Sequence, residues 1–165
     1  MSQNKSNKDK IKTIYFVIGP SGAGKSTYIK KHFKNADVVD LFDCQQRCLK
    51  GRKYITIQDI LSSYDDCAEL LSEAVSKHLH DTTDVVLEHT LLKDFRRYQY
   101  IKAARDAGAV RIKAICIVPD KETYKRNLQK RWNEFDINEA SNDLDLFEIP
   151  EVNGSGFDEV EIVRD

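Results

Sequence analysis

The sequence predicts an α/β fold, in which helices cover both faces of a parallel β-sheet. Five apolar runs of strand length alternate along the chain with segments whose apolar residues recur at three- and four-residue steps. A glycine-rich segment follows the first run directly, as in proteins that bind phosphate between a strand and a helix. The length of 165 residues fits one domain. We expect residues 1–165 to form it, with residues 1–11 as a flexible N-terminus.

Each strand is predicted from a run of apolar, mostly β-branched residues. The first run, residues 13–18, stops at Gly19 and is expected to be a buried central strand. The remaining runs cover residues 37–40, 85–88, 112–118 and 160–163. Because helical segments separate the runs, we expect right-handed crossovers and parallel strands.

Three helices are predicted between these strands. Thr56 and Asp59 have the spacing of a capping box, and the apolar pattern behind them predicts a long helix over residues 57–79. A second helix ends before Gly108, because glycine readily adopts the left-handed conformation found at a helix C-terminus. A third helix begins after Pro119. The apolar residues that predict the second helix are Phe95, Tyr98 and Ile101.

Composition excludes several classes of protein. Hydrophobic residues make up 41% of the chain and charged residues 32%, which is the balance of a folded domain rather than a disordered segment. No apolar run approaches the roughly 20 residues that span a bilayer, and residues 1–12 lack the apolar core of a signal peptide. We therefore expect a cytosolic protein that does not contact a membrane.

The four cysteines allow more than one interpretation. Cys44, Cys48, Cys67 and Cys116 could form two disulfides or, with histidines, a metal site. A zinc site would need a second closely spaced pair of ligands, which this spacing does not provide. We expect reduced, structural thiols, with Cys116 in a buried strand.

Charge is distributed unevenly along the chain. Residues 134–165 contain 11 acidic residues and one basic residue, whereas residues 1–133 contain 25 basic and 16 acidic residues, although the net charge is only −1. A basic body favours a polyanionic ligand such as a nucleotide or nucleic acid. The alternative is a solvated surface over which the acidic segment folds.

The glycine-rich segment, residues 19–27, fits the pattern G-x-x-x-x-G-K-[ST] in full. Such a loop cradles phosphates with backbone N–H groups, assisted by the N-terminus of the next helix. Lys25 would reach the β- and γ-phosphate oxygens, and Ser26 would ligate Mg²⁺. The sequence therefore predicts a site for ATP and Mg²⁺. The residues expected to bind the nucleotide are Gly19, Ser21, Gly22, Ala23, Gly24, Lys25, Ser26 and Thr27.

Three acidic residues at strand ends are candidates for the chemistry. Glu88 ends the third strand, where it would support Mg²⁺ or contact an acceptor. Asp40 and Asp43 follow the second strand, where a kinase needs a carboxylate to accept the proton of the acceptor hydroxyl. We favour Asp43, which begins a helix-like stretch, with Asp40 as the alternative.

A basic segment follows the fourth strand. Residues 125–131 carry four cations within seven positions, including Arg126 and Arg131. In a chain that also contains a phosphate loop, such a helix would form a lid that neutralises the transferred phosphoryl group and excludes water. In isolation the same residues would be a solvated helix face.

The chain resembles the phage-type polynucleotide-kinase and zeta-toxin-like P-loop kinases over nearly its whole length. The segments that carry the resemblance are residues 19–27, an Asp after the second strand, and residues 88–91, 96–97, 125–131 and 156–160. The resemblance implies a P-loop three-layer sandwich with sheet order 2-3-1-4-5 and a short helical lid. It also implies ATP with Mg²⁺, a base at Asp43, and phosphate contacts from Arg126 and Arg131. Glu88-His89-Thr90 is closer to the zeta-toxin-like form than to the polynucleotide-kinase form.

Together these features predict an ATP-dependent kinase that phosphorylates an alcohol. The first choice of acceptor is a nucleic-acid hydroxyl, either a 5′-OH end or a hydroxymethylated base. The alternatives are a sugar or nucleoside kinase, and an ATP-binding switch without an acceptor. We expect the acidic segment either to lie away from the acceptor groove or to compete with the acceptor. The oligomeric state is left open.

Overall fold

The computed structural model describes residues 11–131 and 142–164, and it confirms the predicted five-stranded parallel sheet in the order β2-β3-β1-β4-β5. The predicted flexible N-terminus, apart from Ile11, lies outside the described residues, as does part of the acidic segment, residues 134–141. The strands are β1 Thr13–Ile18, β2 Asp37–Asp40, β3 Val85–His89, β4 Arg111–Ile117 and β5 Glu159–Val163.

Helices connect the strands in the predicted order. The longer ones are α1 Lys25–His32, α2 Leu41–Leu49, α3 Ile57–His78, α4 Asp94–Asp106 and α5 Lys121–Arg131, and the two short ones are α6 Asp143–Leu146 and α7 Val152–Ser155. The α1, α3, α4 and α5 segments lie between successive parallel strands, as crossovers require. Within the described ranges, no helix is both long and apolar enough to span a membrane.

Side chains of β1 alternate between two apolar layers. Ile14, Phe16 and Ile18 pack among buried residues of α3 and α4, whereas Val17 packs with Ile29 of α1. The sheet is therefore covered on both faces, which is the predicted three-layer sandwich. Parallel pairing aligns Ile18 of β1 with a residue at the end of β3, so the carboxyl ends of neighbouring strands share one edge.

The structure confirms the predicted start of α3 but not the predicted buried face of α4. Thr56 and Asp59 form the capping box, with Asp59 N donating to Thr56 Oγ1 at 3.1 Å and Thr56 N donating to Asp59 Oδ2 at 3.0 Å. In α4, however, the expected apolar residues Phe95 and Tyr98 are exposed. The buried face instead includes Arg97, whose guanidinium donates hydrogen bonds to backbone carbonyls that a nonpolar side chain could not satisfy.

All four cysteines are free, as expected. Cys116 is fully buried in β4. Cys44 of α2 and Cys67 of α3 are buried with their Sγ atoms 2.8 Å apart. Burial raises the pKa of both Cys67 and Cys116, the latter to about 12, so these thiols are protonated and act as packing groups.

Candidate active site

The glycine-rich segment forms a loop that turns from β1 into α1. Gly19 ends the strand so close to β4 that a Cβ at this position would lie 2.3 Å from Ile117 O. Gly24 caps the N-terminus of α1 with a φ of 106°, a backbone conformation that side chains other than glycine rarely adopt. The helix therefore begins at the loop, and its N-terminal N–H groups provide a site for an anion.

Three of the predicted site residues lie together at this loop. Lys25 Nζ donates to Gly19 O at 3.0 Å and to Pro20 O at 2.8 Å, so the ammonium lies over the start of the loop. Ser26 Oγ donates to Glu88 Oε1 at 2.5 Å. This hydrogen bond joins the first turn of α1 to the end of β3. A hydroxyl and a carboxylate at one point are the oxygen ligands that Mg²⁺ prefers.

A cavity of about 610 Å³ lies beside the loop, next to β4 and β5. Thr27, one of the predicted binding residues, lines it, as do Asn127 and Lys130 of α5. Tyr28 and His32 of α1 stack with ring centroids 4.2 Å apart at this cavity. Sequence reasoning missed these two aromatic residues because their only signal is the four-residue spacing on a helix.

The basic helix α5 is attached to the phosphate loop. Tyr124, which is buried, donates from its hydroxyl to Ser21 O at 2.8 Å. Arg126 is exposed, and its guanidinium lies 3.4 Å from Thr123 Oγ1 in the same helix. Arg131 ends α5, and its side chain lies outside the described residues. The structure therefore positions the lid helix beside the loop without a described contact between either arginine and the loop.

An acidic residue also contacts the loop from a distant part of the chain. Ser21 N donates to Asp143 Oδ2 at 3.2 Å across 122 positions of sequence. Asp143 begins α6, and this segment is held in place by Phe147, which is buried in the core against the guanidinium of Arg97. Glu148 N donates to Leu92 O at 2.7 Å. A carboxylate therefore occupies a backbone N–H donor of the phosphate-binding loop.

The two aspartates after β2 have different surroundings. The helix α2 begins at Leu41 rather than at Asp43 as predicted, because Asp40 caps it by accepting a hydrogen bond from Asp43 N at 3.0 Å. The carboxylate of Asp43 is exposed and pairs with Arg47 at 3.0 Å. Asp40 is the cross-strand partner of Glu88. The described contacts thus connect Asp40 more closely than Asp43 to the end of β3.

A second cavity, of about 290 Å³, lies at the end of β3, and Thr90 in its lining accepts a hydrogen bond from Gly19 N at 3.4 Å. His89 lines it. Burial, followed by the positive charge of Lys25, lowers the pKa of His89 to about 4, although the carboxylate of Asp40 acts in the opposite direction. Near pH 7 the imidazole is therefore neutral, and the charges of Lys25 and Asp40 both act on this end of the cavity.

Comparisons with known proteins place the chain in a family. A family model described as "AAA domain" matches residues 14–144, which is well over half of the chain. No curated protein matches the chain by sequence.

Solved structures share its fold at low sequence identity. A sugar kinase from Janibacter sp. HTCC2649 is 15% identical with a TM-score of 0.59, and the alignment covers 94% of this chain and 86% of that one. Chaetomium thermophilum Kti12 in complex with ADP-AlF3 is 16% identical with a TM-score of 0.58, covering 92% and 88%. A structure of the Pnkp1/Rnl/Hen1 RNA repair complex is 14% identical with a TM-score of 0.51, covering 88% and 47%.

Proposed function

Because the chain belongs to the AAA-domain family, we propose that it is an ATP-dependent phosphotransferase that moves the γ-phosphoryl group of ATP to a hydroxyl of a nucleic acid. The observation that carries this proposal is a phosphate loop that lines one cavity with Gly22, Ala23, Gly24 and Thr27 and is joined to a second cavity by the hydrogen bond from Gly19 N to Thr90 O. One lies beside β4 and β5 and suits the nucleoside of ATP. The other lies at the end of β3 and suits an acceptor. The finer resemblance to phage-type polynucleotide kinases and zeta-toxin-like kinases supports the same reaction.

ATP would bind with its phosphates in the loop of residues 19–27. The N–H groups at the start of α1 would donate hydrogen bonds to the β-phosphate. The ammonium of Lys25 would move from the carbonyls of Gly19 and Pro20 to the β- and γ-phosphate oxygens. The nucleoside would then extend into the cavity lined by Thr27 and Asn127. This placement directs the γ-phosphate toward the end of β3.

The residues present also fit a magnesium ion. Ser26 and Glu88 already share a hydrogen bond at the loop, and both are oxygen donors of the kind that Mg²⁺ prefers. Ser26 would be a direct ligand, and Glu88 would hold a water ligand or the ion itself. When bound, the ion would supply positive charge that neutralises the phosphate oxygens.

The transfer needs a group that accepts the proton of the attacking hydroxyl. In the reaction the acceptor oxygen bonds to the γ-phosphorus, the bond between that phosphorus and the bridging oxygen breaks, and ADP leaves. We assign the proton to a carboxylate after β2, either Asp43, which the sequence ranks first, or Asp40. The surroundings favour Asp40, because Asp43 pairs with Arg47 on the surface while the charge of Asp40 reaches His89.

Arg126 and Arg131 are proposed to bind the transferred phosphoryl group when α5 closes over the loop. The position of α5 beside the phosphate loop supports this role. Tyr124 ties the same helix to Ser21, so a small rotation of α5 would move its exposed cations relative to the phosphates. Such cations would stabilise negative charge that increases in the transition state.

Two observations bear on the acceptor. The basic balance of residues 1–133 favours a nucleic acid. The similarity in fold to a sugar kinase favours a second candidate function, phosphorylation of a sugar or nucleoside. A nucleotide-dependent switch without an acceptor is the remaining alternative.

Labelled ATP separates these functions. The protein is incubated with γ-labelled ATP, Mg²⁺ and a panel of 5′-OH oligonucleotides, hydroxymethylated DNA, nucleosides and sugars. The proposal predicts label on an oligonucleotide or on hydroxymethylated DNA. Label on a sugar or nucleoside alone would support the second candidate, and label released only as inorganic phosphate would contradict any kinase function.

A further inference from the structure

The cavity at the end of β3 has a mostly apolar wall. Leu41, Cys67, Leu91 and Tyr100 line it and are each at most 5% exposed. Its volume of about 290 Å³ is at the small end of ligand-binding cavities, which start at about 300 Å³. A ligand with a hydroxyl on every carbon would leave several hydroxyls without a hydrogen-bond partner against this wall, at a cost for each one. The wall therefore favours a compact, largely apolar group.

The backbone of the wall is held in a strained conformation. Leu91 has a φ of 38°, which is in the left-handed region and is costly for a residue other than glycine. Its carbonyl accepts a hydrogen bond of 2.7 Å from Nε of Arg97, whose guanidinium is fully buried and also donates to Leu92 O and Glu148 O. The buried guanidinium of Arg97 therefore fixes the backbone of this wall in its strained conformation.

Planar groups surround the mouth of this cavity. The guanidinium of Arg96 lies 5.3 Å from the ring centre of Tyr64 and 5.2 Å from that of Phe95. In the described part of the chain, Arg96 makes no ion pair with a carboxylate, and no acidic residue lines the cavity. The mouth therefore combines aromatic faces with a positive charge that is available to a ligand.

A histidine in the lining of the cavity has a hydrogen-bond donor. His89 Nδ1 accepts a hydrogen bond from Leu91 N at 3.2 Å, so in the neutral imidazole the proton lies on Nε2. Gln45 and Gln99 also line the cavity, and their amides are fixed by hydrogen bonds from Gln45 Nε2 to Ser63 Oγ at 3.4 Å and from Gln99 Nε2 to Asp65 Oδ1 at 2.7 Å. A few fixed polar groups on an apolar wall are the arrangement that recognises a heterocycle with a few ring nitrogens and carbonyls.

We propose that this cavity binds the aromatic base of the acceptor's terminal nucleoside, and that Arg96 binds the phosphate that follows it. The inference rests on the proposed phosphotransferase function and specifies its substrate class. Stacking against Tyr64 and burial against the apolar wall would hold any of the four bases, because every base has an aromatic face. The charge of Arg96 would distinguish a nucleotide chain from a free nucleoside.

The test is equilibrium binding in the presence of ADP and Mg²⁺, measured by calorimetry without turnover. The probes are the four ribonucleosides, their 3′-monophosphates, glucose and gluconate. We expect nucleosides to bind and the two sugars not to bind. Tyr64→Leu should weaken nucleoside binding by about 10-fold or more, and Tyr64→Phe should restore it because the ring returns. The matched control is Tyr98→Leu, since Tyr98 is exposed on α4 and does not line the cavity.

A second variant tests the charge. In the wild-type protein a 3′-monophosphate should bind about 5-fold more tightly than its nucleoside, and Arg96→Gln should abolish the difference. Arg111→Gln is the control, because Arg111 is exposed at the start of β4 and pairs with Glu159. Thermal melting confirms that each variant is folded before binding is measured.

The outcomes separate this inference from the function on which it rests. Sugars that bind as well as nucleosides, or a Tyr64→Leu variant that binds nucleosides like the wild type, would overturn the inference, even if labelled phosphate reaches some acceptor. Nucleosides that bind as expected while no acceptor is ever phosphorylated would support the inference and contradict the phosphotransferase function.

Discussion

At the scale of single residues, the ends of β2 and β3 hold carboxylates with different roles. Glu88 is engaged by Ser26, Asp43 is paired with Arg47, and Asp40 caps α2 while facing the charges at the end of β3. The sequence ranks Asp43 as the base, whereas these contacts favour Asp40.

The two aspartates can be separated by replacement with asparagine. Asp40→Asn keeps the shape of the side chain but removes the proton acceptor, so we expect the rate of phosphoryl transfer to fall by about 100-fold or more with ATP affinity nearly unchanged. Asp43→Asn should have a small effect. Single-turnover transfer and ATP binding measure the two quantities. The reverse ranking would assign the base to Asp43, and two small effects would exclude both residues.

The lowered pKa of His89 gives a pH dependence of stability. Its folded-state pKa of about 4 lies below the ordinary 6.5, so between these values the unfolded chain binds more protons. The free energy of unfolding should therefore decrease as pH falls from about 6.5 to 4. His89→Gln should reduce this decrease by about 1–3 kcal/mol, measured by urea denaturation at both ends of the range. His80→Gln, at an exposed position, should behave as the wild type. An unchanged decrease in His89→Gln would contradict the lowered pKa of this half-buried imidazole.

At the scale of elements, the short helix α6 brings negative charge to the phosphate loop. Asp143 accepts a hydrogen bond from Ser21 N, next to where the phosphates of ATP would bind. From the sequence we expect the acidic segment to lie away from the acceptor groove or to compete with the acceptor, and this stays a prediction, because the described contact is with the phosphate loop.

Removing this charge should strengthen nucleotide binding. We expect Asp143→Asn to bind ATP about 3- to 10-fold more tightly, because a like charge near the phosphates is removed in a partly solvated site. Asp145→Asn is the control, since Asp145 is exposed two residues later and lies 4.0 Å from Lys121. Calorimetric titration at fixed salt compares them. Weaker ATP binding in Asp143→Asn would mean instead that Asp143 supports the loop conformation.

The elements themselves were largely predictable, and their contacts were not. Unbroken β-branched runs predict parallel strands because both faces are buried, and the spacing of Thr56 and Asp59 specifies the start of α3 through local hydrogen bonds. The phosphate loop is equally local. The contact of Asp143 with Ser21 spans 122 positions, and the buried guanidinium of Arg97 serves carbonyls up to 51 positions away. Such contacts depend on tertiary packing that no short pattern encodes.

At the scale of the whole molecule, charge should govern acceptor binding. If several cations of the basic body contact an oligonucleotide, its Michaelis constant should increase with salt, with a log–log slope of about 0.7 per phosphate contact. The Michaelis constant for ATP should increase less, because the loop and Mg²⁺ dominate its binding. Steady-state kinetics from 50 to 300 mM salt, roughly the range over which such effects develop, measures both. If the Michaelis constants of acceptor and ATP both depended on salt equally and weakly, a small neutral acceptor would be favoured.

The central claim, that the phosphate loop transfers a phosphoryl group, is tested most directly by Lys25→Ala. The side chain is half-buried and contacts only carbonyls of the loop itself among the hydrogen bonds described, so its removal should not unfold the protein. We expect turnover of γ-labelled ATP to acceptor to fall by about 100-fold or more at an unchanged melting temperature. Lys30→Ala, at an exposed position on the same helix, should retain wild-type turnover. Turnover of Lys25→Ala within a few-fold of the wild type, with the same melting temperature, would contradict the claim.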